Sequence, residues 1–466
     1  MTSSRPATRP ARLVNSLRRQ FVPGGGVRVT PLEAALVVML AAPLAFFRLG
    51  AAAVHARVWA EDGRIFLQQA DIDGPFRAVT INYAGYLNAV PRLAAAFVHP
   101  FPVRWWGAGI HVADALVVAW VALVVYAGLS DHVRSRFGRG LAALYVVLVP
   151  VGPEITGSIA NIQWYLVVGA VVALLWTPRS WWGWSAICVT TLAVTTTSPL
   201  GAVVFGCALV RWGLQRGRGS LVVLLVTAIG FAAQTAEMLH SPQREVANLL
   251  HEYGASGVAR GYLARVAGDG VLGMDRLPAG MGTSVVAGAI VVLVLAAMVL
   301  VGLTRRWSGP WAVAALLLAL SVGTYLLGVL LQPLPLPLGN AIVAGRYYSL
   351  PAQFLVLGLV VLGVGVLERR PISPKAGPMG VGERGARTAL QLAVLALVGA
   401  LGFGMITTYN EADLRGRNST PTWSHSVRLA ARTCQESPQR QRVTVPILPV
   451  SPMWVVRLRC SSLRSG

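Results

Sequence analysis

The chain has 466 residues, 55% of them hydrophobic and only 12% charged, where a soluble domain carries roughly a quarter charged residues. With a mean hydropathy of +0.60, this balance excludes an ordinary soluble enzyme and implies an all-α polytopic membrane protein. A formal charge of +22 does not signal nucleic acid here, because the basic residues sit mostly in short loops beside apolar runs, where they set orientation.

Residues 1–31 read as a disordered basic cytoplasmic tail. They hold Arg5, Arg9, Arg12, Arg18, Arg19 and Arg28, with no acid before Glu33. Residues 32–408 read as the membrane domain. The first span, Leu32–Gly50, leads outward to a polar first outer loop, 51–104, and Trp105–Leu129 returns to Arg134, Arg136 and Arg139. Leu141–Val151 goes out and Ile159–Trp176 comes back to Arg179. Between Trp184 and Val210 there is room for a tight pair of short helices, broken at Thr197-Ser198-Pro199. Leu221–Leu239 goes out to a second outer loop, 241–278, and Ser284–Leu303 returns to Arg305 and Arg306. Trp311–Leu331, Tyr348–Leu367 and Ala389–Thr407 complete about eleven spans, counting about 20 residues for each crossing. The N-terminus is then inside and the C-terminus outside. The loop at 369–387, with Arg369, Arg370, Lys375, Arg384 and Arg387, obeys the same rule.

Residues 409–466 form a small extracytoplasmic segment. Cys434 and Cys460 flank the strand-like runs Val443–Val450 and Trp454–Leu458, which suggests a disulfide staple in an oxidising compartment and a small β-containing appendix. Free thiols in a loose tail are the alternative. Cys188 and Cys207 lie in apolar runs as core residues, and no metal-type cysteine spacing occurs. Asn418-Ser419-Thr420 spells a glycosylation sequon, which carries no weight in a chain of bacterial character.

The most informative stretch is Val58-Trp59-Ala60-Glu61-Asp62-Gly63-Arg64, an adjacent acid pair in a chain with 18 acidic residues. Such a pair serves as a general base or as metal ligands, and a solvated turn paired to Arg57 or Arg64 is the plain alternative. Further along the loop, an interfacial helix from Tyr86 carries Asn88 and turns Arg92 toward phosphate. His111 and Asp114 share one face of the second span, either as a functional pair or as a hydrogen bond locking two helices. Glu154, Asn161, Gln163 and Trp164 lie at the next outer turn, while Gln234, Glu237, His240, His251, Glu252 and Tyr253 lie near the second loop. Arg346, between apolar residues and Tyr347-Tyr348, is suited either to a lipid-borne phosphate or to an aromatic-belt anchor. No P-loop is present, and the glycine pattern Gly268–Gly273 has no strand before it, so no nucleotide is implied.

This constellation resembles the GT-C superfamily of integral membrane glycosyltransferases. The residues that carry the resemblance are Glu61-Asp62 in the first outer loop, the polar segment through Arg92, and Arg346-Tyr347-Tyr348 at the entry to a late span. The resemblance implies transfer of a sugar from a polyprenyl-phosphate donor to an envelope glycan or lipid acceptor, at the outer face of a bacterial cytoplasmic membrane. Asp62 would be the base, with Glu61 orienting it or helping hold a divalent metal. Arg346, Arg92, Tyr347 and Tyr348 would bind the donor phosphate. Tyr86, Asn88, His111, Asp114, Asn161, Gln163 and Trp164 would line the substrate site. The short terminal segment departs from larger members, which carry a substantial soluble domain. The partners expected are the lipid-linked sugar, its acceptor and membrane lipids, without nucleic acid. A transporter or lipid flippase of envelope precursors is the competing class and would rest on His111, Asp114 and the broken pair. A non-catalytic assembly partner is the third, and it would tolerate Asp62→Asn.

Overall fold

The computed structural model describes residues 18, 21, 26–48, 50, 57–151, 153–241, 249–273, 281–304, 311–331, 341–367, 381–409, 421–449 and 452–464. The arginines at 305, 306, 369 and 370, Lys375 and the 418–420 triplet lie outside these residues, as do the side chains of His251, Glu252, Arg384 and Arg387.

Helix α1 spans Pro31–Phe47 and opens with a capping box, in which Thr30 and Glu33 satisfy each other's backbone N–H groups. Within the first loop lie α2 (Gln68–Asp73) and α3 (Ala89–Val98), and after it come α4 (Trp106–Gly128), α5 (Arg136–Val147) and α6 (Gln163–Leu175). The chain continues through α7 (Trp181–Thr195), α8 (Gly201–Gln215), α9 (Arg218–His240) and α10 (Leu249–Gly261). It ends with α11 (Met281–Thr304), α12 (Trp311–Leu331), α13 (Ala341–Leu367), α14 (Val381–Thr407), α15 (Trp423–Glu436), β1 (Arg442–Pro446), β2 (Val455–Arg459) and α16 (Cys460–Arg464).

Among the described residues, six helices are long and apolar enough to cross a membrane, and the protein is a multi-pass α-helical membrane protein. Each apolar segment read from the sequence is helical, but several are short. Helix α5 has 12 residues, which at about 1.5 Å per residue falls well short of a hydrocarbon core of roughly 30 Å. The region 184–210 is indeed a pair, α7 and α8, joined by a turn at 196–200.

Hydrogen bonds sort the helix ends into two groups. At one end Val27 N–H donates to Ser130 O (3.1 Å), Thr177 N–H to Asp131 (2.7 Å) and Arg179 to Gly26 O (3.1 Å), while Arg211 reaches Leu174 O. At the other end the turn between α7 and α8 meets the start of α3, with Ala89 N–H donating to Thr196 O (3.1 Å). There too Arg48 caps the end of α5 through the Val147 (3.0 Å) and Val149 (2.6 Å) carbonyls.

Three expectations are corrected. Arg136 and Arg139 belong to α5 and not to a loop. Arg136 pairs with Glu33 at 2.6 Å, and the buried Arg139 lies 4.4 Å from the centre of the Tyr126 ring. The supposed second outer loop contains α10, which packs on α12, a π-turn at Tyr262–Gly268, which packs on α11, and a short helical turn at Asp269–Leu272, which packs on α13 and α14. Its polar residues are satisfied internally: buried Asp269 accepts from Ser284 Oγ (2.7 Å) and Arg265 (3.1 Å). Gly288 permits the contact, since a Cβ there would meet the Leu263 carbonyl at 1.8 Å. The terminal appendix is more helical than expected. Its ribbon pairs antiparallel with Val443 opposite Leu458, and it packs on the apolar stripe Trp423, Val427, Ala430 and Cys434 of α15.

Candidate functional site

A cavity of about 690 Å³ opens where the first loop, the start of α6, the turn before α8 and the start of α13 converge. Of the residues proposed from sequence, it is lined by Glu61, Tyr86, Asn161, Gln163, Trp164, Arg346 and Tyr347. Tyr83, Ser198, Met238, Thr324 and Leu327 also line it and were not selected from sequence.

Glu61 and Asp62 face different surroundings. A π-turn begins at Asp62, and residues adjacent in a helical turn point about 100° apart. The Asp62 carboxylate is buried and accepts from Ala160 N–H (2.9 Å) and Ser158 Oγ (3.5 Å), which ties the acidic turn to the start of α6. Of the two acids, Glu61 lines the cavity and Asp62 does not. Among the described residues, no group of three or more His, Cys, Asp or Glu side chains comes together that could hold a metal ion.

The cation of the cavity is Arg346. Its Nε lies 3.7 Å from a Glu154 oxygen, its guanidinium carbon is 5.1 Å from the Tyr347 ring centre, and Glu61 is also within electrostatic reach. Tyr347 meets Trp164 edge-on at 5.6 Å. Four residues later comes Pro351, which has no N–H to offer the Tyr347 carbonyl and so interrupts the helical ladder beside the cavity. Leu200, Met238, Leu327 and Leu350 add apolar surface to the lining.

Five proposed site residues lie elsewhere. Arg92 is buried and bound to Ala78 O (2.6 Å), Gln69 Oε1 (2.8 Å) and Asn82 O (3.2 Å), so its guanidinium is committed to the first loop's backbone. Burial pushes that group down to about 10, against opposing pulls from Tyr83 and Asp73, and it stays charged at neutral pH. Tyr348 points into the core near Tyr325. His111 bonds the Arg57 carbonyl through Nε2 at 3.0 Å, and Asp114 is buried on the same helix, away from the cavity lining. Asn88 is buried at the start of α3. That helix begins at Ala89, because residues 83–86 form a tight turn with mutual Tyr83–Tyr86 backbone bonds (2.9 and 3.1 Å) and Gly85 at φ +91°.

Gln234 and Glu237 brace this loop. Leu87 N–H donates to Gln234 (3.2 Å) and Asn82 Nδ2 to Glu237 (2.5 Å). The Gly268–Gly273 pattern lies in helical turns packed in the bundle, without a preceding strand. Tyr83 stood in the sequence within the same polar run, but Thr324 and Leu327 sit in a uniformly apolar span and gave no signal.

A second cavity, about 640 Å³, lies at the opposite end among Trp120, Trp176, Trp182, Arg28 and Arg179. Its one acid, Asp131, accepts from Thr177 N–H (2.7 Å) and lies within electrostatic reach of Arg179.

No family model matches the chain, and no curated protein matches it by sequence. Among solved structures it is similar to ArnT from Cupriavidus metallidurans in the apo state, with 15% identity and a TM-score of 0.43, covering 87% of this chain and 80% of that one. It is also similar to ArnT from the same organism bound to undecaprenyl phosphate, with 15% identity and a TM-score of 0.45, covering 94% and 85%.

Proposed function

We propose that the protein is a membrane glycosyltransferase that moves a sugar from a polyprenyl-phosphate donor to a glycan or lipid hydroxyl at the outer face of a bacterial cytoplasmic membrane. One observation carries the reading: Glu61 and Arg346 line the same cavity, whose lining also includes the apolar Leu200, Met238, Leu327 and Leu350. A donor with a phosphate head and a lipid tail needs that combination, with a cation at the head and apolar surface for the first isoprene units.

In the reaction, the acceptor oxygen bonds to the anomeric carbon as the bond from that carbon to the phosphate oxygen breaks. Glu61 takes the acceptor proton, a role that geometry favours over Asp62, whose carboxylate is held by Ala160 N–H and Ser158. Arg346 meets the negative charge that develops on the departing lipid phosphate, and Tyr347 fixes the guanidinium plane. Glu154 holds Arg346 in place between turnovers. Tyr83, Tyr86, Asn161 and Gln163 offer hydroxyl and amide groups for the sugar. The donor bond supplies the free energy, so the reaction requires no nucleotide.

Two features support the outer face. The appendix with the Cys434–Cys460 disulfide joins the end of the molecule that holds the cavity. The opposite end gathers Arg28, Arg134, Arg136, Arg179, Arg216 and Arg218 in or beside its short turns.

The test is transfer of labelled sugar from a panel of polyprenyl-phosphate sugars in membranes that contain the protein, wild type beside Glu61→Gln. Donor-dependent transfer lost in the variant supports the reading. Donor-independent movement of intact lipid-linked sugar across vesicles, without transfer, would replace it with the transporter reading.

A further inference from the structure

We propose that the C-terminal appendix, residues 421–464, is a clamp that sets the position of Glu61, and that it acts on the chemical step more than on donor binding. This rests on the assignment of Glu61 as the base.

The acidic turn and the appendix are nearly 400 residues apart in sequence, yet they share backbone hydrogen bonds. Leu448 N–H donates to Val58 O (3.1 Å), Ala60 N–H donates to Leu448 O (2.5 Å), and Trp59 and Leu448 form a parallel bridge. Ala60, directly before Glu61, has φ +34°, a left-handed conformation that an alanine adopts only where its surroundings impose it. Gly63 closes the contact from the other side. A Cβ there would lie 2.8 Å from both Ile447 Cδ1 and Val456 Cγ2, so the π-turn sits directly on the ribbon.

The attachment continues along the turn and α2. Arg64 donates to Met453 O (2.8 Å), Gln68 accepts from Arg457 N–H (2.7 Å), and Asp71 accepts from Arg459 N–H (2.8 Å) and Ser462 Oγ (2.5 Å). The appendix is itself a closed unit. The Cys434–Cys460 disulfide joins the end of α15 to the start of α16, and Trp423 Nε1 anchors α15 to Val103 O at 2.7 Å. Apart from the Val103 anchor, the contacts join the appendix to residues 58–71, the segment that carries Glu61, and none of the cavity-lining residues belongs to the appendix. A displaced clamp therefore moves the base without touching Arg346. Misplacement of a reacting group by about 1 Å can cost up to about a hundredfold in rate.

The experiment uses the full-length protein in membranes. Variants are Gly63→Ala, which pushes the turn off the ribbon, Gly63→Ala with Ile447→Ala, which relieves one of the two ribbon contacts of the added methyl, and the pair Ala60→Val and Ala60→Gly. Two readouts are taken: kcat and donor KM for sugar transfer, and hydrogen exchange of the 58–67 backbone, which needs no turnover. The clamp predicts that Gly63→Ala lowers kcat about tenfold or more with donor KM within about twofold, and that the double variant regains part of the loss. Ala60→Val falls further than Ala60→Gly, because a β-branched residue resists a positive φ. Exchange at 58–67 is slow in the wild type, fast in Gly63→Ala and intermediate in the double variant. Fast exchange at 58–67 in the wild type, or an unchanged kcat in folded Gly63→Ala and Ala60→Val, overturns the clamp. A rise in donor KM with kcat preserved also overturns it. Absence of transfer from every donor sinks the proposed reaction instead, and the exchange pattern then still decides whether the appendix holds the turn.

Discussion

Two arginine regions show how a membrane protein separates structure from chemistry. Around Arg92, the first loop wraps its own carbonyls about the guanidinium, and Ala78, Asn82 and Gln69 take up its donors. At the start of α13, Arg346 meets a carboxylate oxygen at 3.7 Å and the face of Tyr347, beside open space. A buried cation already bound by carbonyls cannot also bind a phosphate without breaking the loop that surrounds it. A cation with one long carboxylate contact and a ring face, beside open space, can exchange the carboxylate for a ligand. The same contrast separates Asp62, held by backbone, from Glu61, which faces the cavity.

The comparison breaks first at Arg92. Replacing it with Met strands three acceptors inside the loop and should cost about 3 kcal/mol, read as a lower melting temperature in detergent, while the folded fraction keeps its turnover. If Arg92→Met lost transfer without losing stability, Arg92 would belong to the site. Arg346→Gln should do the reverse, with stability near wild type and transfer reduced about a hundredfold, and Arg346→Lys should recover part of it. Asp62→Asn keeps an oxygen for Ala160 N–H but weakens a charge-assisted bond. It should cost about 1 kcal/mol and about tenfold in kcat through the position of Glu61. Tyr347→Phe, which removes one hydroxyl and keeps the ring, should change donor KM by about threefold and leave the melting temperature unaltered.

Much of the architecture was legible because hydropathy acts locally. The apolar segments, the broken pair α7–α8 and the polar first loop all follow from composition over windows of about 20 residues. What was not legible depended on distant partners. The polar run at 249–272 reads as a loop, yet Asp269 finds Ser284 and Arg265 inside the bundle. The periodic stripe of α15 was present in Trp423, Val427, Ala430 and Cys434, but the strand-like runs after it drew attention away. Glu61 lines the cavity and Asp62 is buried against Ala160 on a turn that bonds through Ala60 to Leu448, a distant contact that no local pattern announces.

The account stands or falls on which of two neighbouring acids takes the acceptor proton. The direct measurement is single-turnover sugar transfer with the active polyprenyl-phosphate donor, comparing wild type, Glu61→Gln and Asp62→Asn at matched amounts of folded protein. The arrangement of the cavity predicts a loss of about a hundredfold or more for Glu61→Gln and about tenfold for Asp62→Asn. Loss of transfer in Asp62→Asn beside an active Glu61→Gln would contradict it.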